Sequence, residues 1–85
     1  MFKLVKSNGD IIFDSHYEVV GEIWKLSDKS RYSLYIYAGL TDISCELFIN
    51  DVLCRTVFVD NNKTGCITFK TGVADKIKIR RYPIL

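Results

Sequence analysis

Apolar and polar residues alternate along most of this chain with a period of two, the pattern of strands that bury one face. Phe2-Lys3-Leu4-Val5-Lys6 and Ile11-Ile12-Phe13-Asp14-Ser15 form the first such pair, separated by Ser7-Asn8-Gly9-Asp10. Asn-Gly is the favoured centre of a two-residue type I′ turn, in which both central residues take positive φ. Pairing Ser7 with Asp10 sets Lys3 across from Asp14, an attractive cross-strand pair, and predicts Phe2, Leu4, Ile11 and Phe13 on the core face.

Tyr17 to Leu26 reads as the next strand, with Val20, Trp24 and Leu26 on one side among Glu18 and Glu22, and Tyr17, Val19 and Ile23 on the other. Gly21 in its middle marks a bulge, or a bend where the strand passes from one sheet to another. Ser27-Asp28-Lys29-Ser30 turns the chain into Arg31 to Gly39, where Tyr32, Leu34, Ile36 and Ala38 alternate with Ser33, Tyr35 and Tyr37. Tyr35 and Tyr37 are left on the second face, as caps on the core edge or as contact residues.

The most regular unit is Ile43 to Val59. With Asn50-Asp51 as its turn, Ile49 faces Val52, Leu47 faces Cys54, Cys45 faces Thr56 and Ile43 faces Phe58 on one side. On the other side Glu46 falls opposite Arg55 and Phe48 opposite Leu53, so charge pairing and alternation choose the same register. After Asp60-Asn61-Asn62-Lys63-Thr64-Gly65, strands are expected at Cys66 to Lys70 and, past Thr71-Gly72-Val73-Ala74-Asp75, at Lys76 to Tyr82 with Ile77 and Ile79 inward. Turn signals at such short intervals imply about eight short strands and no significant helix. The fold class is all-β, an antiparallel sandwich or barrel, with residues 1–85 as one domain.

Composition agrees: 48% of the 85 residues are hydrophobic, Val, Ile and Thr supply about a quarter of the chain, and alanine occurs only at Ala38 and Ala74. No apolar run is long enough to span a membrane, and Met1-Phe2-Lys3-Leu4-Val5-Lys6 is too short and too charged for a signal peptide. A soluble, cytoplasmic-type product without signal-peptide secretion is expected. Cys45, Cys54 and Cys66 lie in alternating segments without metal-ligand spacing and read as three buried free thiols, so no metal is expected.

Net charge is +2, and the basic groups concentrate in Lys76, Lys78, Arg80 and Arg81, with no acid after Asp75. On an edge strand these charges would discourage edge-to-edge pairing. Together with Arg31, Tyr32, Tyr35, Tyr37 and Tyr82 they would offer a stacking platform with basic rails, but so small a net charge makes nucleic acid an unlikely partner.

Chemistry-bearing motifs are sparse. Asp60 to Gly65 has the opening of a calcium loop, yet the closing position is Thr71 where a bidentate Glu is needed, so a polar hairpin loop accounts for it. His16, the one histidine, falls in a connection and reads as a solvated loop residue; the carboxylates are scattered, and the glycines form no phosphate loop. No enzyme activity and no cofactor are expected.

Lys6-Ser7-Asn8-Gly9-Asp10-Ile11-Ile12-Phe13-Asp14-Ser15 resembles the N-terminal hairpin of small virion accessory proteins of tailed bacteriophages. Tyr32 to Arg80 is similar in rhythm to jelly-roll carbohydrate-binding modules, which implies a small antiparallel β-sandwich of jelly-roll-like form, although the aromatic groups available to a sugar are only Trp24, Tyr35 and Tyr37. The first resemblance implies a non-catalytic structural protein of the phage head, neck or tail, located in the virion or the host cytoplasm and acting through self-association or packing in a larger viral assembly. Apolar second-face residues (Val5, Ile12, Tyr35, Tyr37, Phe48, Leu53, Val57) suit that role. The interaction candidates are Tyr35, Tyr37, Phe48, Leu53, Arg80, Arg81, Tyr82, Ile84 and Leu85. The alternatives are an anti-defence inhibitor or adaptor binding one host protein, and a carbohydrate- or nucleic-acid-binding module.

Overall fold

In the computed structural model, which describes residues 2–15, 23–26, 29–72 and 75–84, Asn50 and Asp51 both take positive φ, 51° and 66°. That is the backbone of a two-residue type I′ turn. It joins β5 (Ile43–Ile49) to β6 (Val52–Val59). Around this hairpin the chain is nested. Strand β4 (Arg31–Tyr37) pairs with β7 (Thr64–Lys70), and β3 (Ile23–Leu26) with β8 (Asp75–Pro83). The remaining hairpin, β1 (Phe2–Lys6) and β2 (Ile11–Ser15), joins the β4–β7 pair through β1. Two four-stranded sheets result, ordered β2-β1-β4-β7 and β3-β8-β5-β6, antiparallel throughout. The protein is an all-β antiparallel sandwich, and among the described residues no helix is long and apolar enough to cross a membrane.

The core is the set of inward positions the alternation specifies. Phe2, Leu4, Leu34, Ile36 and Ile67 of the first sheet meet Ile43, Cys45, Leu47, Ile77 and Ile79 of the second, all essentially inaccessible to solvent. Each such aliphatic side chain contributes about 1.5–3 kcal/mol by leaving water. Tyr32 and Phe69, directly paired across β4 and β7, stack with ring centroids 5.9 Å apart. Two crossover loops close one end: Asn62 N donates to Gly39 O at 2.7 Å, and Ala38 N to Lys63 O at 3.0 Å.

Four expectations are corrected. In the first hairpin only Gly9 takes positive φ, 95°, while Gly9 N donates to Lys6 O and Lys6 N to Asp10 O. The loop is therefore the three-residue Ser7-Asn8-Gly9, a β-turn followed by a left-handed glycine. Asn8 supports the choice, because its Oδ1 accepts from Asp10 N at 2.9 Å, a side-chain bond that braces the three-residue loop. The longer loop sets Ile11 opposite Val5, on the outer face and 56% exposed; a register shift beyond Leu4 then restores the pairing of Lys3 with Asp14.

In the β5–β6 hairpin, Ile49 does face Val52 and Phe48 does face Leu53, but a bulge at Cys54 sets Leu47 opposite Arg55. Every pair beyond it moves by one, so Val57 meets Cys45 and Val59 meets Ile43, and a one-residue slip exchanges the faces. Val59 is buried, Val57 packs partly against the core, and Phe58 is 72% exposed. An outside strand accommodates such a bulge because only one neighbour must adjust.

Only Cys45 is a buried thiol; Cys54, on the bulge, and Cys66, which pairs with Tyr35 on the outer face, are exposed, and all three are free. Finally, β8 is an interior strand between β3 and β5, so its basic residues guard no edge.

Candidate interaction surface

Alternation along β5, β6 and β8 puts three rows of side chains on the outer face of the second sheet. Phe58, Ser44 and Tyr82 form one row, Thr56, Glu46 and Arg80 the next, and Leu53, Phe48 and Lys78 the third. Arg80 lies over the Phe48 ring at 5.3 Å from its centroid, a cation–π contact that covers part of the ring and keeps the charge in water. Short Ser44 separates the exposed rings of Phe58 and Tyr82. At the margin, β6 has no further partner strand among the described residues, and Val52, Leu53 and Phe58 stand exposed along it with Arg55 as its single charge. Such a row of unpaired backbone and apolar side chains is a template for pairing with another chain.

Tyr35 and Tyr37 occupy the outer face of the first sheet, Tyr35 between Lys3 and Cys66, and Tyr37 beside Thr64. Nearby, Ser33 Oγ and Thr68 Oγ1 lie 3.5 Å apart. The interaction candidates therefore divide: Tyr35 and Tyr37 on one side of the sandwich, Phe48, Leu53, Arg80 and Tyr82 on the other. The stacking platform that would combine β4 with β8 is not assembled. Tyr32 of that platform is core, and Lys76, Lys78 and Arg80 of β8 face away from the tyrosines of β4.

Arg81 departs from the expected basic surface. It falls on the inward side of β8, where Nη2 donates to Ala38 O at 2.5 Å. It lines a small recess of about 130 Å³ with Thr41, Ile43 and Pro83, and burial lowers its pKa from the ordinary arginine value. Its role is to tie the end of β8 to the β4–β5 crossover. The C-terminal chain continues in cis, with Pro83 paired to Ile43 and Ile84 N donating to Asp42 O at 2.8 Å, while the Ile84 side chain is partly exposed. Leu85 lies outside the described residues, as do His16 and Gly21.

The loop with calcium-like spacing is used for structure. Asn61 donates through N and Nδ2 to Asp42 Oδ1, at 2.7 and 3.0 Å, and these bonds hold the Asp42 carboxyl below its ordinary pKa. Among the described residues no cluster of three or more His, Cys, Asp or Glu side chains is placed to hold a metal.

Phe58 and Val52 are surface features the sequence reading missed. The signal was available in Val57-Phe58-Val59, where either face of the strand is apolar and two β-branched residues compete with one aromatic for the core. Fold and surface together define a two-sheet antiparallel sandwich with an exposed apolar and aromatic strand at one margin. Comparison with protein-family models, with curated proteins and with solved structures gives no match.

Proposed function

We propose that this chain is a non-catalytic structural or interaction module, working by packing the outer face of its second sheet and the open side of β6 against a second copy of itself. One observation carries the reading. Strand β6 runs eight residues at a sheet margin with a single charge and no proline, and although its bulge at Cys54 interrupts the backbone edge, Val52, Leu53 and Phe58 still stand exposed along it.

The nested pairing of β5 with β6, β4 with β7 and β3 with β8, alternating between the sheets, supports a jelly-roll reading in which β1 takes the last strand's place beside β2. Jelly rolls serve in viral capsid and lectin domains, which is support by fold analogy only. Added to the resemblance of residues 6–15 to phage accessory hairpins, it favours a component of the phage head, neck or tail.

Light scattering at low and high salt tests the self-association. A discrete oligomer that resists salt and becomes monomeric in Phe58→Glu supports the reading. A monomer at every concentration overturns it and transfers weight to an adaptor for one host protein.

A further inference from the structure

Lys29, Ser30, Arg31, Lys70 and Thr71 line a recess of about 310 Å³ at the end of the first sheet, away from the β6 surface. Three of these five residues are cations. Arg31 and Lys70 are direct cross-strand partners in the β4–β7 register. Like charges placed so closely destabilise a sheet. No carboxylate lines the recess among the described residues, and no acidic side chain among them is in ion-pair contact with Lys29, Arg31 or Lys70.

The frame beneath these cations is fixed by the backbone. Thr71 N and Thr71 Oγ1 both donate to Ser30 O, at 3.0 and 3.3 Å, and Ser7 N donates to Arg31 O at 2.9 Å. Those bonds clamp the start of β4 to the end of β7, so the three basic residues are held around one recess by the backbone.

We propose that this recess is an anion site for a phosphomonoester dianion. A carboxylate would offset one of the three charges; a phosphomonoester carries about −1.5 to −2 at neutral pH and presents three acceptor oxygens. The Arg31 guanidinium would supply a planar fork suited to two of those oxygens, and the Lys29 and Lys70 ammonium groups would supply charge. A phosphodiester, with one charge, matches the site less well.

The test is a titration of the intact protein with inorganic phosphate, followed by backbone amide NMR at constant ionic strength, with dimethyl phosphate as the diester arm. Saturable shifts confined to the amides of residues 29–31 and 70–72, absent with dimethyl phosphate, are expected. Arg31→Gln and Lys70→Gln should each weaken phosphate binding about tenfold, while Lys63→Gln, in the exposed loop at the other end of β7, leaves it unchanged. Both site variants remove a like-charge pair and should melt no lower than the parent in phosphate-free buffer. Shifts spread over all the basic residues, non-saturable shifts, or equal binding of dimethyl phosphate would overturn the proposal. The parent titration alone decides it should a variant fold poorly.

Discussion

A Cβ added to Gly65 would stand 2.6 Å from Cγ2 of Val59, so the glycine of β7 leaves the space that the valine of β6 fills where the two sheets meet. This contact explains why Val59 and not Phe58 turns inward, since the space over a glycine suits a compact β-branched side chain. Gly65→Ala should cost about 1–3 kcal/mol in urea unfolding through overpacking. Val59→Ala introduced with it should recover part of that loss, a favourable coupling in a double-mutant cycle. Additive effects would show that the seam relaxes without cost.

Arg80 and Phe48 supply a second pair on the outer face. Their contact is exposed, so Arg80→Ala should reduce stability by about 0.5–1 kcal/mol, and Arg80→Lys by less. In the Phe48→Leu background the Arg80→Ala loss should shrink toward zero. Denaturant unfolding of the four proteins measures this, and an unchanged loss would assign the effect to Glu46, which pairs with Arg80 across β5 and β8.

The architecture was legible because strand alternation and turn chemistry are local. Asn50-Asp51 marked its turn, and Leu34, Ile36, Ile77 and Ile79 marked the core, without knowledge of any partner strand. Bulges are different. Whether Cys54 is skipped depends on which residue β7 can receive at the seam, a contact between strands that no periodicity within β6 records. The surface was half legible for the same reason: Phe48, Leu53, Arg80 and Tyr82 follow from alternation, whereas Phe58 and the inward Arg81 depend on bulge and sheet position. The recess at Arg31 and Lys70 needed the β4–β7 pairing, which joins residues far apart in sequence.

The β5–β6 turn makes contrasting predictions at adjacent residues. Asp51 takes positive φ, and Asp51→Gly should raise stability by about 0.5 kcal/mol by relieving the left-handed conformation. Asn50 is also left-handed, but its Nδ2 donates to Asp75 Oδ1 at 3.0 Å and its Oδ1 accepts from Lys76 N at 2.9 Å. Asn50→Gly should therefore lose about 1 kcal/mol despite the easier backbone. Melting curves of the two variants displaced in the same direction would refute the side chain's role in joining this turn to β8.

Acid stability follows from two carboxylates. Asp42 is held below its ordinary 3.8 by hydrogen bonds from the Asn61 backbone and side chain, and Asp75 by bonds from Gly72 N and the Asn50 side chain. With the folded values depressed, the unfolded chain binds protons first as pH falls. The stabilisation is complete above the ordinary carboxylate range and is lost as pH drops through 3.8 toward the lower folded values. Asp42→Asn and Asp75→Asn should each flatten the acid limb of the stability profile below about pH 4. An acid limb unchanged in the double variant would assign acid unfolding to other carboxylates.

Thiol reactivity tests the bulge directly. Burial, reinforced by the neighbouring Glu46 charge, pushes the Cys45 thiol up to about 12, so at pH 8 it is neither accessible nor ionised. Cys54 and Cys66 are exposed and free. A disulfide-exchange reagent in excess should label Cys54 and Cys66 rapidly in the native protein and Cys45 only through unfolding, at a rate that rises with denaturant. The unbulged register would instead set Cys54 against Leu47 on the inner face, leaving Cys66 as the only fast site. Peptide mapping after a brief pulse distinguishes the registers: modification at Cys54 requires the bulge, and protection of Cys54 would return Phe58 to the core and remove the exposed aromatic on which self-association depends.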